Sequence, residues 1–293
     1  MNWQWSDICS HTLWMVSAAI LAIIVRAQRK ASWNPRACPV KLKGKTAIVT
    51  GANTGIGKFI ALDFARRGAR VILACRSEVR GTAALQEIKG STGNQNVHLR
   101  LLDTSSLNSV RKFASRILEE EKELHILVNN AGASDLLKKS APARIVNVSS
   151  MNHWKGEVNF DHFHGRNLKH VMDAAYNHTK LHNIIWTNEL ARRLQGTGVT
   201  ANSLHPGVVM TDIMRNYNFI IRFLFNLVGF FFFKTAEEGA FSPIYCAVSE
   251  EVEGITGKYF DSDCSLVLPA PSARDPALGM KEYEFCERLT AKP

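Results

Sequence analysis

The sequence predicts an α/β fold: a Rossmann-type doubly wound parallel sheet with an N-terminal membrane helix. Apolar strands that alternate with helical stretches predict the sheet, and a glycine-rich turn after the first strand, at 47–49, is typical of its ligand-binding edge. A separate apolar run near the N-terminus predicts the membrane helix. We therefore divide the 293 residues into an anchor at 1–30, a linker at 31–43 and one α/β domain at 44–293.

The turn after the first strand has the features of a cradle for a dinucleotide phosphate. A helix that begins at Gly57 directs unpaired backbone N–H groups and the positive end of its dipole at a bound anion. Glycines remove the side chains that would hold a pyrophosphate away. The spacing Gly-x3-Gly-x-Gly is a variant of the usual fingerprint, and a purely structural glycine turn is the alternative. The predicted contacts are Gly51, Ala52, Asn53, Thr54, Gly55, Ile56 and Gly57.

The end of the second strand, at 71–75, indicates which dinucleotide binds. An acidic side chain about 20 residues past the last glycine would bond the 2′-hydroxyl of NAD. This chain has Arg76 there and no acid. A guanidinium suits a 2′-phosphate because it forms two parallel hydrogen bonds, so NADP(H) is the predicted cofactor. The alternative is that Arg76 is a solvated loop charge.

Polar residues and glycines follow each later strand, at the edge where doubly wound sheets bind ligands. These strands are predicted at 97–102, 124–128, 144–148 and 199–204, with a seventh at 254–260. The residues that follow the first four of them are Asp103-Thr104, Asn129-Asn130-Ala131-Gly132, Ser149-Ser150 and His205-Pro206-Gly207, and a helical stretch carries Tyr176 and Lys180.

Taken in this order, the motifs resemble those of the short-chain dehydrogenase/reductase superfamily over about residues 42–262. The chain is most similar to the microsomal retinol dehydrogenase branch, and the segments that carry this closer resemblance are 51–58, 141–150, 189–194 and 203–208. The resemblance implies that 44–293 is a short-chain dehydrogenase/reductase domain. It also implies an NADP(H)-dependent oxidoreductase that interconverts a lipophilic alcohol, similar to retinol, and its aldehyde or ketone.

The same resemblance assigns roles to three side chains. Tyr176 is the proton donor and acceptor, Lys180 is its partner, and Ser150 holds the substrate oxygen. Hydride transfer to a carbonyl needs a proton on the oxygen, and a phenol beside an ammonium is suited to supply it. A buried core phenol is the alternative for Tyr176. The remaining implied cofactor contacts are Asp103, Thr104, Asn130, Ala131, Gly132, Tyr176, Lys180, Pro206, Gly207, Val208 and Thr211.

The chain departs from the family after Gly132. The family has a long helix there with an Asn-x2-Gly motif, whose asparagine helps to position the lysine and its water chain. Here only residues 133–143 lie between Gly132 and Arg144, which is about as few as a parallel crossover allows. We predict an internal deletion that removes a helix covering the sheet, part of the usual dimer face and the fourth catalytic residue. The alternatives are a weakened enzyme, or an inactive membrane-anchored protein that keeps the fold and the NADP(H) site.

An apolar run at 12–25 extends back to about Ile8 without a charge, which is near the minimum for a membrane span. Basic residues follow it and Asp7 precedes it, so the positive-inside rule places the domain in the cytosol. The predicted location is the endoplasmic reticulum membrane, with one span; a surface-lying helix is the alternative. A second apolar run, 219–233, is either a substrate lid that dips into the bilayer or a buried core helix.

Composition restricts the other partners. The net charge of +10 comes without a nucleic-acid motif, so we attribute it to membrane proximity and expect no nucleic acid. Six cysteines without paired spacing predict reduced thiols. His178 and His182 share a helical face, but the glutamate of a zinc motif is absent and no metal is expected. A homodimer is compatible with the resemblance, although the deletion affects its usual interface.

Overall fold

A parallel sheet with helices on both faces forms the body of the protein. The computed structural model describes residues 14, 17, 33–128, 134–164, 166, 174–209 and 233–291. Its strands are β1 (Thr46–Thr50), β2 (Arg70–Cys75), β3 (Val97–Leu101), β4 (Ile126–Val128), β5 (Ala143–Val148), β6 (Val199–Leu204), β7 (Tyr259–Phe260) and β8 (Leu266–Val267). Their order in the sheet is β3-β2-β1-β4-β5-β6-β7-β8. β1 to β7 pair in parallel, and β8 is antiparallel to β7.

Helices connect most of the parallel strands. They are α1 (Gly55–Arg66), α2 (Glu78–Thr92), α3 (Leu107–Glu120), α4 (Ser134–Lys139), α5 (Ala174–Arg193), α6 (Ala236–Gly239), α7 (Phe241–Val248) and α8 (Pro276–Thr290). Short 3₁₀ turns lie at Met151–Lys155, Phe160–His164, Glu250–Val252 and Pro271–Arg274. The strand order reverses between β1 and β4, so ligands are expected beyond the carboxyl ends of these strands. The predicted Rossmann-type sheet is confirmed.

The two faces of the sheet bury different side chains of the same strand. In β1, Val49 packs into a core cluster with residues of α1 and α7, whereas its neighbour Ile48 packs with residues of α3 and α4 on the other face. Successive side chains of a strand point to opposite faces, and every residue of β1 is buried. This double burial explains why β1 and β2 read as nearly continuous apolar runs in the sequence.

Some element bounds differ from the predicted ones. The predicted seventh strand, 254–260, keeps only Tyr259–Phe260 as β7. Gly254 and Gly257 have φ values of 71° and 66°, in the left-handed region that turns the chain away from an extended course. β8 was not predicted, because a two-residue strand carries no periodic signal.

The segment 33–43, predicted as a linker, packs on the domain. The guanidinium of the buried Arg67, at the end of α1, donates hydrogen bonds to three of its backbone carbonyls: Pro35 at 2.7 Å, Cys38 at 3.1 Å and Val40 at 2.7 Å. Arginine is suited to this role because its donors form a rigid planar fork. The segment therefore forms a strap, residues 33–43, that is fixed to α1.

Replacing Arg67 with Met is expected to lower the free energy of unfolding by about 1–3 kcal/mol, because three carbonyls lose their donor and the Asp63 carboxylate loses its ion pair at 2.6 Å. Chemical denaturation measures the change. The matched control is Arg66→Met: Arg66 is exposed, and its replacement should cost less than about 0.5 kcal/mol. Equal effects of the two substitutions would show that the carbonyl contacts do not hold the strap.

The C-terminal helix α8 packs against α5 through polar and aromatic contacts. Nδ1 of His182 lies 2.7 Å from a carboxylate oxygen of Glu282, and both side chains are buried. The rings of Trp186 and Tyr283 stack at 4.5 Å between centroids, and Arg193 lies 3.8 Å above the ring of Tyr283. Burial raises the pKa of Glu282, which favours its protonated form, while the His182 contact opposes this. α8 is thus an integral part of the support of α5.

No helix within the described residues has the length and apolarity needed to cross a membrane. Most of the predicted anchor, 1–30, lies outside those residues, as does the apolar run 219–233 except for its last residue. The cysteines that the structure describes, at 38, 75, 246, 264 and 286, are free thiols, in agreement with the expectation from their spacing.

Candidate active site

The glycine turn between β1 and α1 is built around close backbone packing. Gly51 has a φ of 64° and donates its N–H to the carbonyl of Ala74, at 2.8 Å. A Cβ on Gly57 would lie 2.5 Å from the carbonyl oxygen of Gly51, so no side chain fits there. The first turn of α1 carries no acidic residue, and the Thr54 side chain does not cap it. The N–H groups at the start of α1 therefore remain open to an anion, as a dinucleotide phosphate requires.

A cleft of about 360 Å³ extends from this turn across the ends of β2 and β3. It contains predicted contacts from all three places. Seven lining residues were not among the predicted contacts: Thr50, Ala74, Cys75, Ser77, Arg80, Leu102 and Ser105. The Ser77 hydroxyl caps α2 by accepting the N–H of Arg80, at 3.4 Å. Arg80 follows Arg76 by four residues, a spacing that could have drawn attention to it in the sequence. The lining residues are Thr50, Gly51, Asn53, Thr54, Ala74, Cys75, Arg76, Ser77, Arg80, Leu102, Asp103, Thr104 and Ser105.

Asp103 supplies the one carboxylate among the residues that line this cleft. Its Oδ1 accepts hydrogen bonds from the N–H and the hydroxyl of Ser105, at 3.0 and 2.7 Å. These bonds, with a smaller effect of the Arg76 charge, hold the pKa of Asp103 below its usual range. Asp103 is thus a fixed acceptor opposite the arginines, suited to the adenine or its ribose.

Ser150 follows β5 and begins the 3₁₀ turn Met151–Lys155. Its side-chain oxygen accepts the N–H of Asn152 at 3.2 Å, and within the described part of the chain its hydroxyl proton has no acceptor. The proton is therefore available to a substrate oxygen. The ring of His153 lies behind this turn, with Nδ1 2.7 Å from the Ser150 carbonyl oxygen.

Helix α5 brings Tyr176 and Lys180 to the same end of β5. The Lys180 ammonium nitrogen donates to the carbonyl of Val148 at 3.0 Å and lies 5.4 Å from the centre of the Tyr176 ring. The Ser149 hydroxyl donates to the Lys180 carbonyl at 2.6 Å, which ties the residue beside Ser150 to α5. Burial lowers the pKa of Lys180. The three predicted catalytic residues thus gather at the carboxyl end of β5.

Close packing keeps the Ser150 turn in contact with α5. A Cβ on Gly156 would lie 2.7 Å from the Cβ of Leu181 and 2.8 Å from the carbonyl oxygen of Asn177. In addition, Nδ1 of His178 accepts the N–H of Glu157, at 2.8 Å. The lone pair of the His178 Nδ1 is therefore used in a structural contact.

The segment after β6 borders the same region. Burial lowers the pKa of His205 to about 4, so this histidine is neutral near pH 7, and its Nδ1 has no hydrogen-bond partner among the residues described. Gly207 has a φ of 94°, and the Val208 carbonyl accepts the N–H of Lys234 at 2.8 Å. The other implied cofactor contacts, Asn130, Ala131, Gly132 and Thr211, lie outside the residues that the structure describes.

The comparisons with known proteins agree with this architecture. The family model described as short chain dehydrogenase matches residues 45–140. Retinol dehydrogenase 12 of Mus musculus is 42% identical over 281 aligned positions, which include 85% of this chain and 88% of that relative. The chain belongs to the short-chain dehydrogenase family, and its predicted class, an NAD(P)-dependent alcohol dehydrogenase or carbonyl reductase, is confirmed. The alignment is longer than the part of this chain that it covers, because some residues of the relative have no counterpart here.

Solved structures support the same fold. An uncharacterized protein from Mycobacterium paratuberculosis is 27% identical, with a TM-score of 0.69 over 88% of this chain and 97% of that chain. A short chain dehydrogenase from Burkholderia cenocepacia J2315, solved in complex with NADP, is 25% identical, with a TM-score of 0.59 over 75% of this chain and 97% of that chain.

Proposed function

We propose that the protein is an NADP(H)-dependent oxidoreductase that interconverts a lipophilic alcohol and its aldehyde or ketone, with activity weakened by the loss of the crossover helix after Gly132. The observation that carries this proposal is the gathering of Ser150, Tyr176 and Lys180 at the carboxyl end of β5. The glycine turn that would hold the phosphates follows β1 at the same edge of the sheet, and only β4 lies between β1 and β5.

Each side chain has a defined task in this reaction. The hydroxyl proton of Ser150, which has no acceptor among the residues described, binds the carbonyl oxygen of the substrate and orients it towards Tyr176. The phenol of Tyr176 gives its proton to that oxygen as negative charge develops, and the Lys180 ammonium nearby stabilises the phenolate left behind. Bound at the glycine turn and the Arg76 cleft, NADPH would supply the hydride.

The choice of cofactor and substrate class has further support. Arg76 and Arg80 place two cationic side chains in the cleft that the adenosine would enter. The Burkholderia cenocepacia relative was solved in complex with NADP, and Mus musculus retinol dehydrogenase 12 is named for an apolar alcohol. The exposed side chains of Met151 and Trp154, on the turn after Ser150, give the substrate side an apolar surface.

NADPH is expected to bind at least tenfold more tightly than NADH, a difference of about 1.4 kcal/mol. The guanidinium of Arg76 favours the 2′-phosphate, and Arg76→Asp should reverse the preference because the carboxylate repels the phosphate and accepts a bond from the ribose. Fluorescence titration measures both affinities. Lys112→Asp, at an exposed position of α3, is the charge-matched control. Equal affinities in the unmodified chain would contradict NADP(H) selection.

The shortened crossover supports the weakened form of this function. β4 and β5 pair in parallel, yet of the residues described between them only the six of α4 are helical. Lys180 here bonds the carbonyl of Val148, and Asn183 bonds the same oxygen at 3.3 Å. An inactive protein that keeps the fold is the second candidate, favoured by this same gap.

One assay separates the two candidates. Purified full-length protein in detergent is mixed with NADPH and an apolar aldehyde such as decanal, and NADPH oxidation is followed by absorbance. Turnover that disappears with Tyr176→Phe supports the enzyme. NADPH binding without turnover supports the non-catalytic protein and contradicts the oxidoreductase.

We further propose that residues 1–30 form a single-pass anchor in the endoplasmic reticulum membrane and that the domain faces the cytosol. Arg26, Arg29 and Lys30 follow the apolar run, and Asp7 precedes it. Protease added to intact microsomes is expected to degrade the domain. A domain that is protected until detergent is added would reverse the topology.

A further inference from the structure

We propose that His153 is a positioning residue that fixes Ser150 for the reaction, because its imidazole joins the Ser150 carbonyl oxygen to the backbone N–H of Ala270. The inference rests on the proposed function, since it concerns how the substrate oxygen is held. His153 is buried, with 1% of its surface exposed, and it is not one of the residues that line the cleft of the glycine turn.

The two ring nitrogens of His153 have different hydrogen-bonding roles. Nε2 lies 3.1 Å from the N–H of Ala270, which can only donate, so Nε2 is the acceptor and carries no proton. Nδ1 lies 2.7 Å from the carbonyl oxygen of Ser150, which can only accept, so Nδ1 carries the proton. The structure therefore assigns one neutral tautomer. Burial lowers the pKa of His153 and favours this uncharged state.

These contacts hold the backbone at Ser150, where the Met151–Lys155 turn begins. The Ser150 carbonyl accepts both Nδ1–H and the backbone N–H of His153, the latter at 3.1 Å, so two bonds from one residue fix its direction. The ring packs edge-on against Tyr259, at 5.0 Å between centroids, and the Tyr259 hydroxyl lies 3.4 Å from Nδ1. Burial raises the pKa of Tyr259, so its hydroxyl remains protonated beside the site.

The consequence for catalysis follows from the Ser150 side chain itself. Its oxygen accepts the N–H of Asn152, and its hydroxyl proton, which has no acceptor within the described ranges, can meet a substrate oxygen in a fixed direction only while the turn keeps its position. A misplacement near 1 Å can cost about a hundredfold in rate. His153 acts on the substrate oxygen through Ser150, and Ala270 anchors the ring to the segment that precedes the Pro271–Arg274 turn.

Two substitutions separate positioning from general support. Asn places its amide near the Nδ1 position and can keep the bond to Ser150, whereas Gln reaches the Nε2 position and can keep the bond to Ala270. We expect His153→Asn to retain kcat within about fivefold, and His153→Gln to lower kcat about tenfold to a hundredfold. The affinity for NADPH should not change, because the cofactor cleft is lined by other residues.

The measurements are kcat and KM with decanal, the Kd of NADPH, and Tm for each variant. A purely structural role predicts the opposite result: losses that follow Tm, or His153→Gln more active than His153→Asn. Either outcome overturns the proposal. Nitrogen NMR of the full chain gives a readout that does not depend on activity, since a protonated Nε2 on His153 at neutral pH would also overturn it.

Failure of the proposed function is distinguishable from failure of this inference. If the unmodified chain does not turn over decanal, the oxidoreductase proposal fails. The NMR tautomer, and the affinity for 1-decanol measured with NADP⁺ present, then decide on His153. His153→Asn should keep that affinity and His153→Gln should weaken it about tenfold, about 1.4 kcal/mol. No difference between the two variants would contradict the positioning role.

Discussion

Replacing Tyr176 with Phe is expected to lower kcat for NADPH-dependent aldehyde reduction by about 10²–10⁴-fold, the usual contribution of a positioned proton donor. The substitution removes only the hydroxyl, and the ring keeps its place 5.4 Å from the Lys180 ammonium. The Kd of NADPH should stay within about twofold, because the adenosine cleft is lined by other side chains.

The matched control is Tyr283→Phe. Tyr283 also packs on α5, with its ring stacked on Trp186 at 4.5 Å, but it lies on α8 away from the carboxyl end of β5. Its substitution should leave kcat within about threefold. If Tyr176→Phe retains ordinary turnover while Ser150→Ala does not, the proton comes from another group and the assignment of Tyr176 is wrong.

Insertion of a relative's crossover helix between Gly132 and Asp135 is expected to raise turnover at least about a hundredfold and to raise Tm. The inserted helix would lengthen the crossover between β4 and β5, of which the structure describes only the six helical residues of α4, and would supply the asparagine that supports the lysine in the family. In the present chain Lys180 instead bonds the Val148 carbonyl at 3.0 Å. Steady-state kinetics with decanal and thermal unfolding of both chains measure the two gains.

Two further insertions identify the source of each gain. A flexible Gly-Ser insertion of equal length should restore neither quantity. The grafted helix with its asparagine changed to alanine should raise Tm but recover less of the turnover. If the unmodified chain already turns over decanal between about 1 and 10³ times per second, loss of the crossover helix does not weaken the activity.

The sheet and the position of its ligand edge were predictable from the sequence. β1 and β2 are mostly apolar runs bounded by turn residues, and each has the residues for its role directly after its last position. Such local signals survive folding because a strand that is buried on both faces has few alternative uses. Membership of the short-chain dehydrogenase family followed from the same turns, and the comparisons confirm it.

The missed features depend on contacts between residues distant in sequence. His153 is defined by Ala270, 117 residues further along the chain, and no spacing in the sequence joins them. Likewise, Arg67 binds backbone carbonyls about 30 residues before it. Every residue type has such a carbonyl, so the sequence does not show which ones Arg67 binds. Arg80 is an exception: its spacing of four residues from Arg76 is visible in the sequence, whereas the cleft that both arginines line is not.

The pairing of α5 with α8 also sets a limit on when the protein can complete its folding during synthesis. His182 is made 100 residues before Glu282, its partner. At about 5–20 residues per second, that interval lasts about 5–20 s. Throughout it, the helix that carries Tyr176 and Lys180 must wait with Trp186 uncovered. Nascent chains arrested before Pro276 should therefore bind chaperones more strongly than chains that include α8.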